Sequence, residues 1–448
     1  MHTGSITRAY WRYTLPAVTA LMVSGMYQVV DGIFIGHAIG EPGLAGITMA
    51  VPAVIVLLAV GMMLGAGAGA QCSIAQGRGD EARAALMLGQ GGWLLVLLGV
   101  PVGGLLLFGG ETILTFQGAT GQVSRLGGDY LMMMAWGAPL VMASLALPFW
   151  VRNLGAPRLA TLAMVTGGLA NIAFDYVFIL WLGWELQGAA LATLLAESFT
   201  ILICLGFLVS RKPPIRLRWQ PLRLGACRAV LGTGGASMAM YLYLGVVTVL
   251  HNMLLMKYGG SVQVAAYAIT GYLLAFYYML AEGAANGMQP LISYFHGARR
   301  NPDIKRVFCL GLYTGLGFGV AMVAALMLWP GHVASIFAAD DAELLAAAAL
   351  GIRLHLFALF LDGFVVLAAC LFQAMGMGRQ ALLITLGNMA IQVPFLALLP
   401  LGLGLTGVWL ALPLSNVVLA CVVLAMVMRQ WQRLGESGVG LSLAARAT

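Results

Sequence analysis

Five carboxylates, Asp31, Asp175, Glu197, Glu282 and Asp362, stand inside stretches of the chain that are otherwise apolar. A charged side chain near the middle of a hydrocarbon layer costs roughly 2.5–3.5 kcal/mol, so each needs a proton, a bound cation, water or a hydrogen-bonding partner. Wholesale ion pairing does not supply this, because away from their ends the apolar stretches hold only Arg353, His251 and His355 as basic residues. Asp175 has the most informative surroundings. Asn171 precedes it by four residues, which puts an amide and a carboxylate on one helix face, an oxygen-rich arrangement suited to a proton or a desolvated cation. Asp31 follows Pro16 and has Gln28 one turn before it; a proline inside a helix removes a backbone hydrogen bond and allows a bend. A plain helix–helix hydrogen bond at Asp175 and an interfacial carboxylate at Asp31 are the bland alternatives.

Farther along, Glu282, Asn286 and Gln289 share a face at spacings of four and seven, and Asp362 shares one with Gln373. Both faces are candidates to line a substrate cavity, with the alternative that Glu282 only satisfies amide or backbone groups. Glu197 reads equally as a functional acid and as a packing or capping residue. Tyr267, Tyr272, Phe276, Tyr277 and Tyr278 supply aromatic surface of the kind that attracts an organic cation, although such residues also serve as packing and as interfacial belts. Enzyme motifs are absent: the sequence has no HExxH, no GxSxG and no phosphate-binding glycine loop ending in GK[ST]. Uphill transport would therefore draw on an ion gradient. No cofactor is expected.

The elements that position these residues follow from composition. The chain has 448 residues, 61% apolar and 9% charged, against about a quarter charged in a soluble domain. Twelve apolar spans are expected, at 12–36, 44–72, 86–108, 124–150, 159–181, 187–209, 230–256, 262–294, 307–330, 342–371, 380–402 and 404–428. Of the 23 Lys and Arg residues, only Arg125, Lys257 and Arg353 fall outside the loops after even-numbered spans and the two termini. The positive-inside rule then places both termini in the cytoplasm, and the net charge of +7 reflects topology, with no nucleic-acid partner implied. The first span carries Asp31, unlike a signal-peptide core, so it is expected to be retained. The six cysteines show neither zinc spacing nor a disulfide framework.

The most basic joint, RKPPIRLRWQPLRLGACR at 211–228, lies at mid-chain, and the sequence repeats itself across it. RNLGAPRLATLAM at 152–164 resembles QAMGMGRQALLIT at 373–385, an offset of 221, and GAALATLLAE at 188–197 resembles GVWLALPLSN at 407–416, an offset of 219. The expected architecture is an all-α polytopic membrane protein of two pseudo-symmetric six-helix bundles. Its parts are an N-terminal half at 1–210, a basic cytoplasmic linker at 211–229, a C-terminal half at 230–428 and a cytoplasmic tail at 429–448. An even number of spans per half makes the repeats parallel, with a cavity expected between them.

The residues YQVVDGIFIGHAIGEPGLAGITMA (27–50), QCSIAQGRGD (71–80), LANIAFDYVFI (169–179) and FLDGFVVLAACLFQAMGMGR (360–379), in this order and spacing, resemble the multidrug and toxic compound extrusion (MATE) family over almost the whole chain. MQPLISYFHGA at 288–298 is similar to a bacterial branch of it. The resemblance implies antiport: cationic, often aromatic compounds leave the cytoplasm while sodium ions or protons enter. It implies a cation site, open to Na+ or H+, at Asp31, Asn171, Asp175 and Thr193, a bending proline at Pro16, and a role for Asp362. It also implies a glutamate in the seventh span, where this chain has about Gly245. The substrate cavity is then expected to use Gln28, Glu282, Asn286, Gln289, Asp362 and Tyr277. The expected setting is a bacterial inner membrane, with the protein acting as a monomer. The alternatives are a flippase for a lipid-linked substrate, which would want a cationic cavity, and an intramembrane enzyme, for which no nucleophile and base are in view.

Overall fold

The computed structural model of the protein describes residues 5–217, 219–336 and 342–444, without the side chains of Glu41 and of 436–444. Arg218, Asp340, Asp341 and Arg446 lie outside the described residues, as does the side chain of Glu436. The described secondary structure is entirely helical: α1 (Ile6–Ala38), α2 (Glu41–Gly77), α3 (Glu81–Phe116), α4 (Gly121–Trp136), α5 (Ala138–Asn153), α6 (Pro157–Asp175), α7 (Glu185–Val209), α8 (Leu224–Gly297), α9 (Asn301–Leu328), α10 (Pro330–Ser335), α11 (Ala342–Leu356), α12 (Leu359–Ala374) and α13 (Gly378–Ala444).

Several expected single spans are built differently. The span expected at 124–150 is two helices, α4 and α5, bent by 61°, and that at 342–371 is α11 and α12, bent by 45°. The 74 residues of α8 would reach ~110 Å if straight, against a hydrocarbon layer of ~30 Å. Left-handed backbone at Gly260 (φ 76°) divides it, and Gly404 (φ 55°) divides α13 in the same way. Eight helices are long and apolar enough to cross a bilayer; with two bent pairs, and with α8 and α13 each divided, the described residues form twelve crossings. Large apolar side chains such as Leu105, Phe108 and Leu202 remain 66%, 85% and 67% exposed, as they must where the neighbour is lipid.

The repeat seen in the sequence recurs in the backbone. Left-handed residues fall at 40 and 260, 79 and 299, 155 and 376, and 183 and 404, offsets of 220 or 221. The two bends also correspond, because Gly137 between α4 and α5 and Ala358 before α12 are 221 positions apart.

The described residues form two compact units, one from Leu15 to Leu242, the other from Tyr243 onward together with residues 5–14. In the first, α2 packs on α3, α4 and α5, and α6 packs on α7. Gly67 of α2 and Gly234 of α8 permit a close crossing: a Cβ on Gly67 would strike the Val230 carbonyl, and one on Gly234 the Met63 carbonyl. Trp150, fully buried, donates its indole N–H to the Leu64 carbonyl at 3.3 Å. The basic joint is held to α3, where Gln90 donates to the Pro221 carbonyl (3.1 Å) and accepts from the Arg223 amide (2.8 Å), and the Trp93 indole donates to the Gln220 carbonyl (2.9 Å).

In the second unit α12 packs on α9 and α13, and α11 on α10 and α13. Its core centres on buried Trp409, whose indole donates to Gln263 Oε1 at 3.1 Å. Tyr10 near the start of α1 donates to Thr314 of α9 at 3.0 Å.

Candidate functional site

In the first unit α1, α6 and α7 bring acidic and amide oxygens together. Asn171 and Asp175 occupy successive turns of α6 and are 2% and 0% exposed. One turn of wider π-helix, Tyr176–Trp181, follows immediately after Asp175. Such turns re-aim side chains next to them and recur at functional sites. Asn171 Nδ2 donates to Thr193 Oγ1 at 3.5 Å, the outer limit of a hydrogen bond, while the Thr193 hydroxyl donates to the Ala189 carbonyl at 3.0 Å. Asp175 lies within electrostatic reach of Asp31. Those of Asp31, Asp175 and Glu197 all reach Tyr27 and Tyr130.

The chemistry of this group lies in what it does not pair with. Asp31 Oδ1, Asn171 Oδ1, both Asp175 carboxylate oxygens and Glu197 Oε2 are buried without a hydrogen-bond partner among the described residues. All five are oxygens, and in water each would accept hydrogen bonds. Buried polar atoms are ordinarily paired, and an unpaired acceptor calls for a water, a proton or a cation; a carboxylate away from water favours the positive partner. Among the described residues no three His, Cys, Asp or Glu side chains are placed to hold a metal ion. A sodium ion would thus need the Asn171 and Thr193 oxygens beside the carboxylates, whereas a proton needs a single carboxylate.

Two features tie α1 to this group. The Thr161 hydroxyl of α6 donates to the Pro16 carbonyl at 2.7 Å. At Gly168 of α6 a Cβ would lie 2.9 Å from the Tyr27 ring, so the absence of a side chain admits the α1 tyrosine. Gln28, one turn before Asp31, is exposed. A cavity of about 70 Å3 opens between α1, α5, α6 and α7, and its wall includes Tyr27, Ser144, Asn171, Thr193 and Glu197.

The second unit gathers a different set. Asp362, 3% exposed on α12, accepts at Oδ1 from Asn416 Nδ2 of α13 (2.6 Å) and from the Tyr278 hydroxyl of α8 (3.2 Å). Tyr278 also lines a cavity of about 310 Å3 together with Tyr243, Val247, Asn252, Tyr267 and Leu412. Tyr277 does not share that wall: it is fully buried, donates to the Gly315 carbonyl at 3.3 Å and presses on Gly363. Successive helical residues point about 100° apart, so the two tyrosines cannot face the same side. Glu282 lies within electrostatic reach of Cys370 of α12. Asn286 is half-buried one turn later. Gln289 is 2% exposed and donates to Ser293 at 3.0 Å, which donates on to the Ala374 carbonyl at 2.7 Å; both belong to the seam between α8 and α12.

The sequence reading left out Tyr27, Tyr130 and Ser144 around the first cluster and Asn416 beside Asp362. The offset of 219 had paired Asn416 with Glu197, which is the signal that could have drawn attention to both.

Comparison with known proteins adds to this geometry. The family model MatE matches residues 16–177 and 236–398. The multidrug export protein MepA of Staphylococcus aureus (strain MSSA476) is 24% identical over 424 residues, covering 94% of this chain and 93% of the relative. MepA of Staphylococcus haemolyticus (strain JCSC1435) is 25% identical over 435 residues, with the same coverage of 94% and 93%. Among solved structures, an outward-facing multidrug resistance transporter of the MATE family and MOP superfamily superposes with a TM-score of 0.90 at 24% identity, covering 97% of each chain. A MOP superfamily transporter from Pyrococcus furiosus, described as having a binding pocket of reversed polarity, gives 0.90 at 23% identity over 96% of this chain and 97% of that one. These structures share the fold.

Proposed function

We propose that this chain, which belongs to the MATE family of membrane transporters and is not an enzyme, exports cationic or amphipathic organic compounds in exchange for inward H+ or Na+. The observation that carries the reading is the group of unpaired buried oxygens on Asp31, Asn171 and Asp175. Relatives named as multidrug export proteins support the cargo class.

The mechanism follows from charge. Asp31 and Asp175 repel one another when both are ionised and no cation is near, and in a medium of low dielectric that repulsion is large. A proton or sodium ion entering among Asp31, Asn171, Asp175 and Thr193 removes it and lets α1 close on α6. Pro16 gives α1 a place to bend, because the proline ring leaves one backbone carbonyl without its helical donor. The Thr161 bond to the Pro16 carbonyl links that bend to α6. Release of the ion to the cytoplasm restores the repulsion and reverses the bend, giving alternating access.

Substrate recognition is assigned to the second unit, where Tyr243, Tyr267 and Tyr278 offer aromatic faces to an organic cation and Asp362 supplies negative charge behind Tyr278. The cavity of about 310 Å3 reaches the lower end of the range for small-molecule sites, roughly 300–1,000 Å3. Neither of these two cavities is lined by Lys or Arg, which favours a cation over the pyrophosphate headgroup of a lipid-linked substrate. The same reading places both chain ends in the cytoplasm of a bacterium and the protein in its inner membrane as a monomer. Efflux of a fluorescent aromatic cation from reconstituted vesicles, with a pH gradient and a sodium gradient imposed separately, tests it. One of the two should drive efflux, and transport indifferent to both would contradict exchange.

A further inference from the structure

Glu197 is an intramembrane acid that the coupling scheme leaves unused. It sits on α7 one turn after Thr193, and its Oε2 is buried without a hydrogen-bond partner. It lines the cavity of about 70 Å3 together with Ser144, Asn171, Thr193 and Thr200; Asp31 and Asp175 are not part of that wall. Asn171, only 2% exposed, contributes an unpaired Oδ1 to the same wall. The Ser144 hydroxyl of α5, which donates to the Val141 carbonyl at 2.9 Å, shares that wall beside the Glu197 carboxylate, and its oxygen can still accept or coordinate. The Thr200 hydroxyl is committed to the Ala163 carbonyl at 3.1 Å, yet its oxygen can still accept or coordinate. One water needs about 10–15 Å3 of such space, so the cavity suits a small cation with its waters and not an organic molecule.

The repeat sharpens the point. Glu197 and Asn416 are equivalent at an offset of 219. In the second unit the acid has its donor, because Asn416 on α13 donates to Asp362 on α12, although the Asn416 Oδ1 is left without a partner. In the first, the acid stands on α7 and faces a serine of α5, and one carboxylate oxygen has no donor. A carboxylate so placed is expensive unless a positive partner visits it.

We propose that Glu197 is the anionic ligand of a second small-cation site, walled by Ser144 and Thr200 and joined to the Asp31–Asp175 site through Asn171 and Thr193, so that two cations are exchanged per substrate. The proposal rests on the antiport reading above. Its chemistry is shared by H+ and Na+, and separate gradients distinguish them.

The decisive quantity is the steady-state ratio of ethidium across the vesicle membrane, measured with the membrane potential clamped to zero and a tenfold gradient of H+ alone or Na+ alone. Each coupled ion multiplies the limiting ratio by about ten, since free energies add where ratios multiply. The wild type should approach about a hundredfold and Glu197→Gln about tenfold. This ratio is set by stoichiometry, so a variant that folds less well reaches it more slowly but does not change it. A wild-type ratio limited to about tenfold, or a hundredfold ratio retained in Glu197→Gln, overturns the second site and leaves antiport standing. If neither gradient drives ethidium in the wild type, it is the antiport reading that fails. Should Glu197→Gln insert but not transport, counting Na+ or protons bound per purified chain decides: one fewer than in the wild type supports the site, and equal numbers overturn it.

Discussion

Asn416 donates its side-chain amide to Oδ1 of Asp362 at 2.6 Å, across the α12–α13 seam. Both residues are buried, 1% and 3% exposed, so water cannot take the place of either partner. Removing Asn416 leaves the carboxylate only its longer bond from the Tyr278 hydroxyl, and removing Asp362 leaves the Asn416 amide without its acceptor. We expect Asn416→Leu to lower the stability of the purified protein by about 1–3 kcal/mol. In an Asp362→Leu background the same change should cost much less, because the acceptor is gone. Thermal unfolding of the four proteins in this cycle measures the coupling.

Tyr277 and Tyr278 are neighbours in sequence with opposite assignments. Tyr278→Leu should raise the KM for aromatic cations by about two- to thirtyfold, the range expected from losing one cation–π contact. Tyr277→Leu should leave that KM unchanged and lower the unfolding temperature, since its ring fills the space beside Gly363. Transport kinetics and thermal unfolding on both variants separate the two roles.

The crossing of α2 and α8 depends on two positions without a side chain. Gly67→Val or Gly234→Val should reduce the yield of folded protein sharply, because a Cβ at either would meet backbone that cannot move aside. Gly104→Val is the control, as nothing lies within 4 Å of its Cβ position. Size-exclusion profiles of detergent-solubilised protein provide the comparison.

Thr161→Val retains shape and removes the donor to the Pro16 carbonyl. It should cost about 0.5–1.5 kcal/mol of stability. If that bond links the bend of α1 to α6, the variant should change the turnover rate more than substrate KM, which vesicle kinetics can read.

Much of the architecture was legible because the membrane imposes it. Apolar spans of fixed length, basic loops between them and an internal repeat follow from the bilayer alone. The Asn171–Asp175 pair was legible for a similar reason, since two polar groups four residues apart must share a helix face. Other features depend on tertiary contacts. The bend at Gly137 leaves no mark in hydropathy, because both arms are apolar. Whether Tyr277 or Tyr278 meets the cavity turns on the rotation of α8, which a cluster of adjacent aromatics leaves open. The surroundings of Glu197 required knowing that α5 brings Ser144 against α7. Near the departure at Gly245, Tyr243, two residues earlier, donates to Gln392 of α13 and lines the larger cavity.

Efflux driven by an imposed ion gradient in reconstituted vesicles, compared between the wild type and Asp175→Asn, tests the coupling role of the buried oxygen cluster most directly. A pH or sodium gradient should drive efflux of an aromatic cation in the wild type, and Asp175→Asn, inserted and folded to the same extent, should abolish the gradient-driven component. Undiminished gradient-driven efflux in Asp175→Asn would contradict that role.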